Sequence, residues 1–116
     1  MSAFNDPGIE IGVQEAKALL DSGEAVLVDV REPHEWEAGR IPGARHLQLE
    51  HLASQADTIP RDKRVIFQCR LGTRSAMATQ AFRSEGYDAL SMAGGIQAWH
   101  DAGLPLEPDG GRVADH

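Results

Sequence analysis

Apolar positions along this chain change their period several times, and each change marks an element. From Gly12 to Leu20, Val13, Ala16, Leu19 and Leu20 fall on one face at helical spacing, and Ser22-Gly23 supplies a stop, so a first helix is predicted there. Ala25-Val26-Leu27-Val28-Asp29-Val30 lacks polar alternation, the pattern of a strand buried on both faces of a parallel sheet. Val65-Ile66-Phe67 is a second such run. Between them lies a stretch from Arg31 to Gly43 rich in charge, Pro and Gly, then a weakly amphipathic segment, Leu49 to Ala56, that suits a crossover helix. Ser75 to Glu85 reads as a helix with Ala78, Ala81 and Phe82 inward, closed by Gly86. A short strand, Ala89-Leu90-Ser91-Met92, follows, and Gly94-Gly95 turns the chain into a last helix, Ile96 to Ala102, stopped by Gly103 and Pro105. Strands alternating with helices predict an α/β fold, a mostly parallel central sheet with helices on both faces.

Length and composition then bound the rest. The 116 residues, 41% hydrophobic, suit one domain able to bury a core without disulfides or a structural metal. We expect an N-terminal extension over 1–8, the domain over 9–106, and a flexible tail over 107–116, whose polar, Gly-rich composition offers little apolar surface to offset ordering. The single cysteine cannot close an intramolecular disulfide, and Met1 to Pro7 lacks a basic flank and an apolar core, so a reducing cytoplasm is expected. No apolar run approaches the ~20 residues needed to cross a bilayer, and no membrane partner is expected. Eleven basic against eighteen acidic residues, net charge −7, disfavour nucleic acid as a ligand. The same charge excess leans toward a monomer. The five histidines show no i, i+4 pairing and have one cysteine for company, so neither a metal nor a cofactor is expected.

Against this negative field, Arg70 and Arg74 stand out as a local positive spot, and Cys69 lies beside them. In Val65-Ile66-Phe67-Gln68-Cys69-Arg70-Leu71-Gly72-Thr73-Arg74-Ser75 a buried strand ends in the cysteine and a short loop leads directly into a helix. Ligands of open α/β sheets bind beyond the carboxyl ends of strands, where a loop offers free N–H groups and the positive end of the next helix. That position favours negative charge on Cys69, and the thiolate is the attacking form of a cysteine. Gly72 lets successive amides turn toward one centre. A lone cysteine at a strand end can also be a small buried hydrophobe, but such a residue requires no loop of two arginines and a glycine feeding a helix.

The segment Cys69-Arg70-Leu71-Gly72-Thr73-Arg74-Ser75 resembles the active-site loop of the rhodanese family. Upstream, Val28-Asp29-Val30-Arg31-Glu32 and Trp36-Glu37-Ala38-Gly39-Arg40-Ile41-Pro42-Gly43-Ala44 resemble its N-terminal signatures, and Ala93-Gly94-Gly95-Ile96-Gln97-Ala98-Trp99 resembles its C-terminal one. Arg40 stands where the family often has His. The resemblance implies a single rhodanese-like domain and a sulfurtransferase. Cys69 would attack the outer sulfur of thiosulfate or another sulfane donor and pass the resulting persulfide to a small thiol or protein acceptor. Arg70, Leu71, Gly72, Thr73, Arg74 and Ser75 would form the substrate-binding loop, with both arginines on the donor's anionic oxygens.

Two other readings stay open. A binding or regulatory module can use the same fold without turnover, and a carrier fed by another protein would look identical in sequence. Phosphatases and arsenate reductases of related fold place five residues between Cys and Arg, whereas four separate Cys69 from Arg74, a loop tight enough for one sulfur and too tight for a phosphate ester. Asp29, Arg31 and Glu35 are read as structural, and Glu32 to Glu37 as a solvated loop or short helix face. Trp99 is expected in the core, Trp36 against the long loop, and Gly94-Gly95 as a turn.

Overall fold

Five strands join in one sheet among the described residues, and the two longest are built on apolar runs without polar alternation. The computed structural model describes residues 9–114, so the expected extension over 1–8 and the last two tail residues lie outside it. In chain order the elements are β1 (Glu10–Ile11), α1 (Val13–Asp21), β2 (Ala25–Asp29), α2 (Pro33–Ala38), β3 (Arg45–His46), α3 (Leu52–Gln55), β4 (Arg64–Gln68), α4 (Thr73–Ser84), β5 (Ala89–Met92) and α5 (Gly95–Asp101). The strands lie in the order β1-β5-β4-β2-β3, and each pairing is parallel.

Central β4 pairs with β2 from Ala25↔Arg64 to Asp29↔Gln68, and with β5 from Val65↔Ala89 to Phe67↔Ser91. Parity along β4 divides the core. Val65, Phe67 and Cys69 face a cluster with Ala78, Phe82 and Tyr87, under α3 and α4. Ile66 faces the opposite cluster with Ala16, Ile96 and Trp99, under α1 and α5. The chain leaves β2 toward β3 on one side and leaves β4 toward β5 on the other, so the carboxyl ends of β2 and β4 flank a topological switch point, where open α/β sheets bind ligands.

The crossover segment forms less helix than its pattern predicts. Only Leu52–Gln55 is α-helical, with 3-10 turns at Leu49–His51 and Ala56–Thr58 on either side. Ser54 Oγ donates to His51 O and Thr58 Oγ1 to Gln55 O, local bonds that compete with a regular helix. The two-residue strands β1 and β3 are too short for any period to reveal.

The segment 107–112 makes backbone hydrogen bonds to the end of α2 and the loop after it. Arg40 N–H donates to Glu107 O at 2.8 Å and Glu107 N–H returns to Arg40 O at 2.7 Å, an antiparallel bridge, while Arg112 N–H donates to Ala38 O at 2.9 Å. These bonds are made to segment 38–40 by backbone atoms alone. Gly39 permits the approach, because a Cβ there would stand 2.4 Å from Arg112 O. Among the described residues no helix is long and apolar enough to cross a membrane.

Candidate active site

Cys69 follows the last residue of β4 and lies between that strand and α4, with 1% of its surface exposed. Gly72 N–H donates to its Sγ at 3.1 Å and Ser75 N–H at 3.4 Å. Two features of the sequence turn those amides inward. Gly72 adopts φ +113°, a conformation costly for any residue with a Cβ, and so serves as the N-cap of α4. The carbonyls of the loop are held from the other side: Ile96 N–H donates to Cys69 O at 2.8 Å and Gln97 N–H to Arg70 O at 3.1 Å. In a trans peptide the N–H opposes the C=O, so fixing these two carbonyls on α5 turns the Arg70 and Leu71 amides away from α5. Two amides of the loop, those of Gly72 and Ser75, thus donate to one sulfur, an arrangement that stabilises an anion.

The predicted site residues separate into groups. Gly72 and Ser75 touch Cys69, Thr73 begins α4, and Leu71 projects from the loop with 59% of its surface exposed. Arg70 is half-buried. Arg74 departs from expectation: its Nη1 and Nη2 donate to Glu35 Oε2 and Oε1 at 2.8 and 3.0 Å, a bidentate pair pointed into the protein. This pair ties the first turn of α4 to α2 and directs the Nη1 and Nη2 donors at Glu35.

Glu35 is fully buried, which corrects the reading of 32–37 as a solvated face. It is the third helical residue of α2, closing a capping box in which Glu32 N–H donates to Glu35 Oε2 at 2.9 Å, with Pro33 opening the helix. Burial by itself pushes its carboxyl up, but the Arg74 hydrogen bond, the Glu32 backbone bond and the charges of Arg74 and Arg31 outweigh this and hold it below the ordinary 4.5. Arg74 is moved up in turn, chiefly by the hydrogen bond it donates to Glu35, against burial.

A buried pair behind this one fixes the loop after β2. Arg31 Nε donates to both Asp29 oxygens at 2.9 and 3.0 Å, and Nη2 reaches Gly39 O at 2.8 Å. Trp36 stacks on His46 with ring centroids 4.8 Å apart, and the Arg40 guanidinium lies over the Trp36 ring, 5.1 Å from its centroid. Asp29, Arg31 and Trp36 thus brace the wall that carries Glu35.

Sequence reasoning missed two residues. Gly95 is more than a turn: at φ +58° its backbone lies so close to the loop that a Cβ would stand 2.2 Å from Cys69 O. Ser91, read only as part of a strand, brings its hydroxyl within 2.7 Å of Ser75 Oγ. Its signal was a polar residue on the α4 side of a buried strand, two positions after Ala89.

A family model described as Rhodanese-like domain matches residues 12–102. A sulfurtransferase of Allochromatium vinosum is 37% identical over 97 residues, 82% of this chain and 91% of that protein. The thiosulfate sulfurtransferase GlpE of Vibrio cholerae is 31% identical over 103 residues, 88% of this chain and 97% of that one. Among solved structures, a rhodanese-related protein of Thermoplasma volcanium superposes with a TM-score of 0.79 at 28% identity, covering 84% of this chain and 96% of that one. A protein of Rhodopseudomonas palustris described as a possible tyrosine phosphatase superposes with a TM-score of 0.77 at 32% identity, covering 90% and 91%.

Proposed function

This chain belongs to the rhodanese-like domain family, and on that premise we propose that it is a sulfurtransferase that carries sulfane sulfur as a persulfide on Cys69. The thiolate of Cys69 attacks the outer sulfur of thiosulfate, the donor's S–S bond breaks, and sulfite leaves with the bonding electron pair. An acceptor thiolate then attacks the outer sulfur of the persulfide and releases the Cys69 thiolate. The observation that supports this reading best is the convergence of the Gly72 and Ser75 amides on Sγ at the end of the central strand. Arg70 supplies positive charge to the donor's oxygens, with Leu71 and Thr73 beside it in the loop. A lone thiol nucleophile of this kind suits a reducing compartment.

Phosphoryl transfer is the weaker reading for the same residues. The loop has four residues between Cys69 and Arg74, and Arg74 is turned into Glu35, so no guanidinium fork encircles a tetrahedral phosphate.

The deciding experiment is the intact mass of the reduced protein before and after thiosulfate, with a Cys69→Ser control and a cyanide chase assayed for thiocyanate. Gain of one sulfur atom by the wild type alone, removed by cyanide, is the expected result. No gain from thiosulfate would eliminate it as a donor and point to a carrier loaded by another protein, or to a binding module.

Because Leu71 stands exposed at the loop's apex, it also offers a handle on donor charge. Leu71→Lys is expected to lower the thiosulfate KM about two- to fivefold at low ionic strength, with the gain vanishing at high salt as the added charge is screened. An unchanged KM at low salt would mean that the dianion does not approach past this residue.

A further inference from the structure

Behind the reactive sulfur lies a second polar shell made of two buried hydroxyls. Ser75 and Ser91 are both fully buried; Ser91 has Phe67 as its register partner on β4 and Glu10 on β1, and Ala89 precedes it by two on the same face of β5. Ser75 Oγ lies 3.6 Å from Cys69 Sγ, within hydrogen-bond reach for sulfur, and 2.7 Å from Ser91 Oγ. It is also 3.1 Å from Gly72 O.

Counting protons over these atoms gives two arrangements. With a neutral thiol, S–H donates to Ser75 Oγ, whose own proton goes to Gly72 O. With a thiolate there is no S–H, and the Ser75 hydroxyl can turn its proton from Gly72 O onto Sγ. That rotation orphans nothing, because Gly72 O already accepts the Ala76 N–H at 3.0 Å. In both arrangements Ser75 Oγ can accept a proton from Ser91, which fixes the oxygen in place and polarises its O–H toward the sulfur.

We infer that Ser91 is a positioning residue for the reaction, holding the Ser75 hydroxyl so that it donates to Cys69 Sγ whenever the sulfur is an anion. The inference rests on the sulfurtransferase reading. It concerns the step in which thiolate displaces sulfite: the thiol proton has gone to water, the Ser75 O–H stabilises the charged sulfur, and Ser91 acts only through Ser75. Neither hydroxyl contacts the donor's oxygens, which bind outside Sγ.

The test is single-turnover persulfide formation from thiosulfate, followed by quenched intact mass, for wild type, Ser75→Ala, Ser91→Ala and the double variant. Each substitution removes one oxygen atom and leaves every backbone donor in place. Ser75→Ala is expected to lower the maximal rate about tenfold or more, the effect of losing a hydrogen bond to a charged group, and Ser91→Ala about threefold. The half-saturating thiosulfate concentration should stay within about twofold of wild type. The double variant should be no slower than Ser75→Ala, since nothing remains for Ser91 to position. A wild-type maximal rate in Ser91→Ala, or a further slowing by Ser91→Ala in the Ser75→Ala background, would overturn the inference while leaving sulfur transfer intact. If wild type acquires no sulfur, the sulfurtransferase reading has failed and this inference goes with it.

Discussion

Replacing Glu35 by alanine is expected to lower the unfolding free energy by about 3 kcal/mol and to slow persulfide formation, although Glu35 lies 39 residues before Arg74 and touches no reacting atom. The physical reason is asymmetric burial. The Glu35 side chain has no exposed surface and that of Arg74 keeps 15%, so the variant leaves a mostly buried guanidinium with no carboxylate. Breaking such a pair from one side is strongly destabilising, and the residual exposure of Arg74 places the effect at the low end of the range. Arg74 sits in the first turn of α4, beside the amides that face Cys69, so its release loosens the cradle.

The pair also has a pH signature. The folded carboxyl of Glu35 is held below its ordinary 4.5, to which it returns on unfolding. A depressed folded value means that the unfolded state takes up the proton first: the stabilisation is fully present above pH 4.5 and is lost as pH falls toward the folded value. Urea unfolding of wild type and Glu35→Gln from neutral to acid pH should therefore give a stability difference that is largest at neutral pH and shrinks below pH 4.5. A difference that stayed constant across that range would mean that the pair does not titrate with folding.

What the sequence disclosed and what it concealed follow the range of the interactions. β2, β4 and β5 were legible because their residues carry the signal themselves: Leu27, Val28 and Val30, and Val65 to Phe67, are buried whatever lies beside them. The Cys69 loop was legible because strand, nucleophile, glycine and helix start are contiguous. The partner of Arg74 was not, since nothing local distinguishes an arginine that binds a donor from one that binds Glu35. The start of α2 did leave a mark, in Pro33 followed two residues later by Glu35, a helix opening whose burial only the folded chain reveals. Ser91 reaches Ser75 because Phe67 pairs with Ser91 and puts it on the same face as Cys69, a register that no single segment encodes.

Gly95→Ala is expected to be the most damaging small substitution away from the nucleophile, lowering stability by about 2–4 kcal/mol and sulfur transfer by about a hundredfold. Two costs combine. At φ +58° an alanine occupies the left-handed region, and its Cβ would stand 2.2 Å from Cys69 O and 2.6 Å from Arg70 O. Those are backbone atoms of the Cys69 loop, so relief requires moving α5 or the loop by about 1 Å, the scale of misplacement that costs two orders of magnitude in rate. Either movement stretches the bonds from Ile96 and Gln97 that hold the loop carbonyls, and the amides opposite them lose their aim. Gly103→Ala separates the two costs: Gly103 has φ +78° and a Cβ there would meet nothing within 4 Å, so it suffers the backbone penalty without the collision. Thiocyanate formation in Gly103→Ala should remain near wild type while Gly95→Ala loses it. Comparable rates in the two variants would show that the loop is not held in place by its contact with α5.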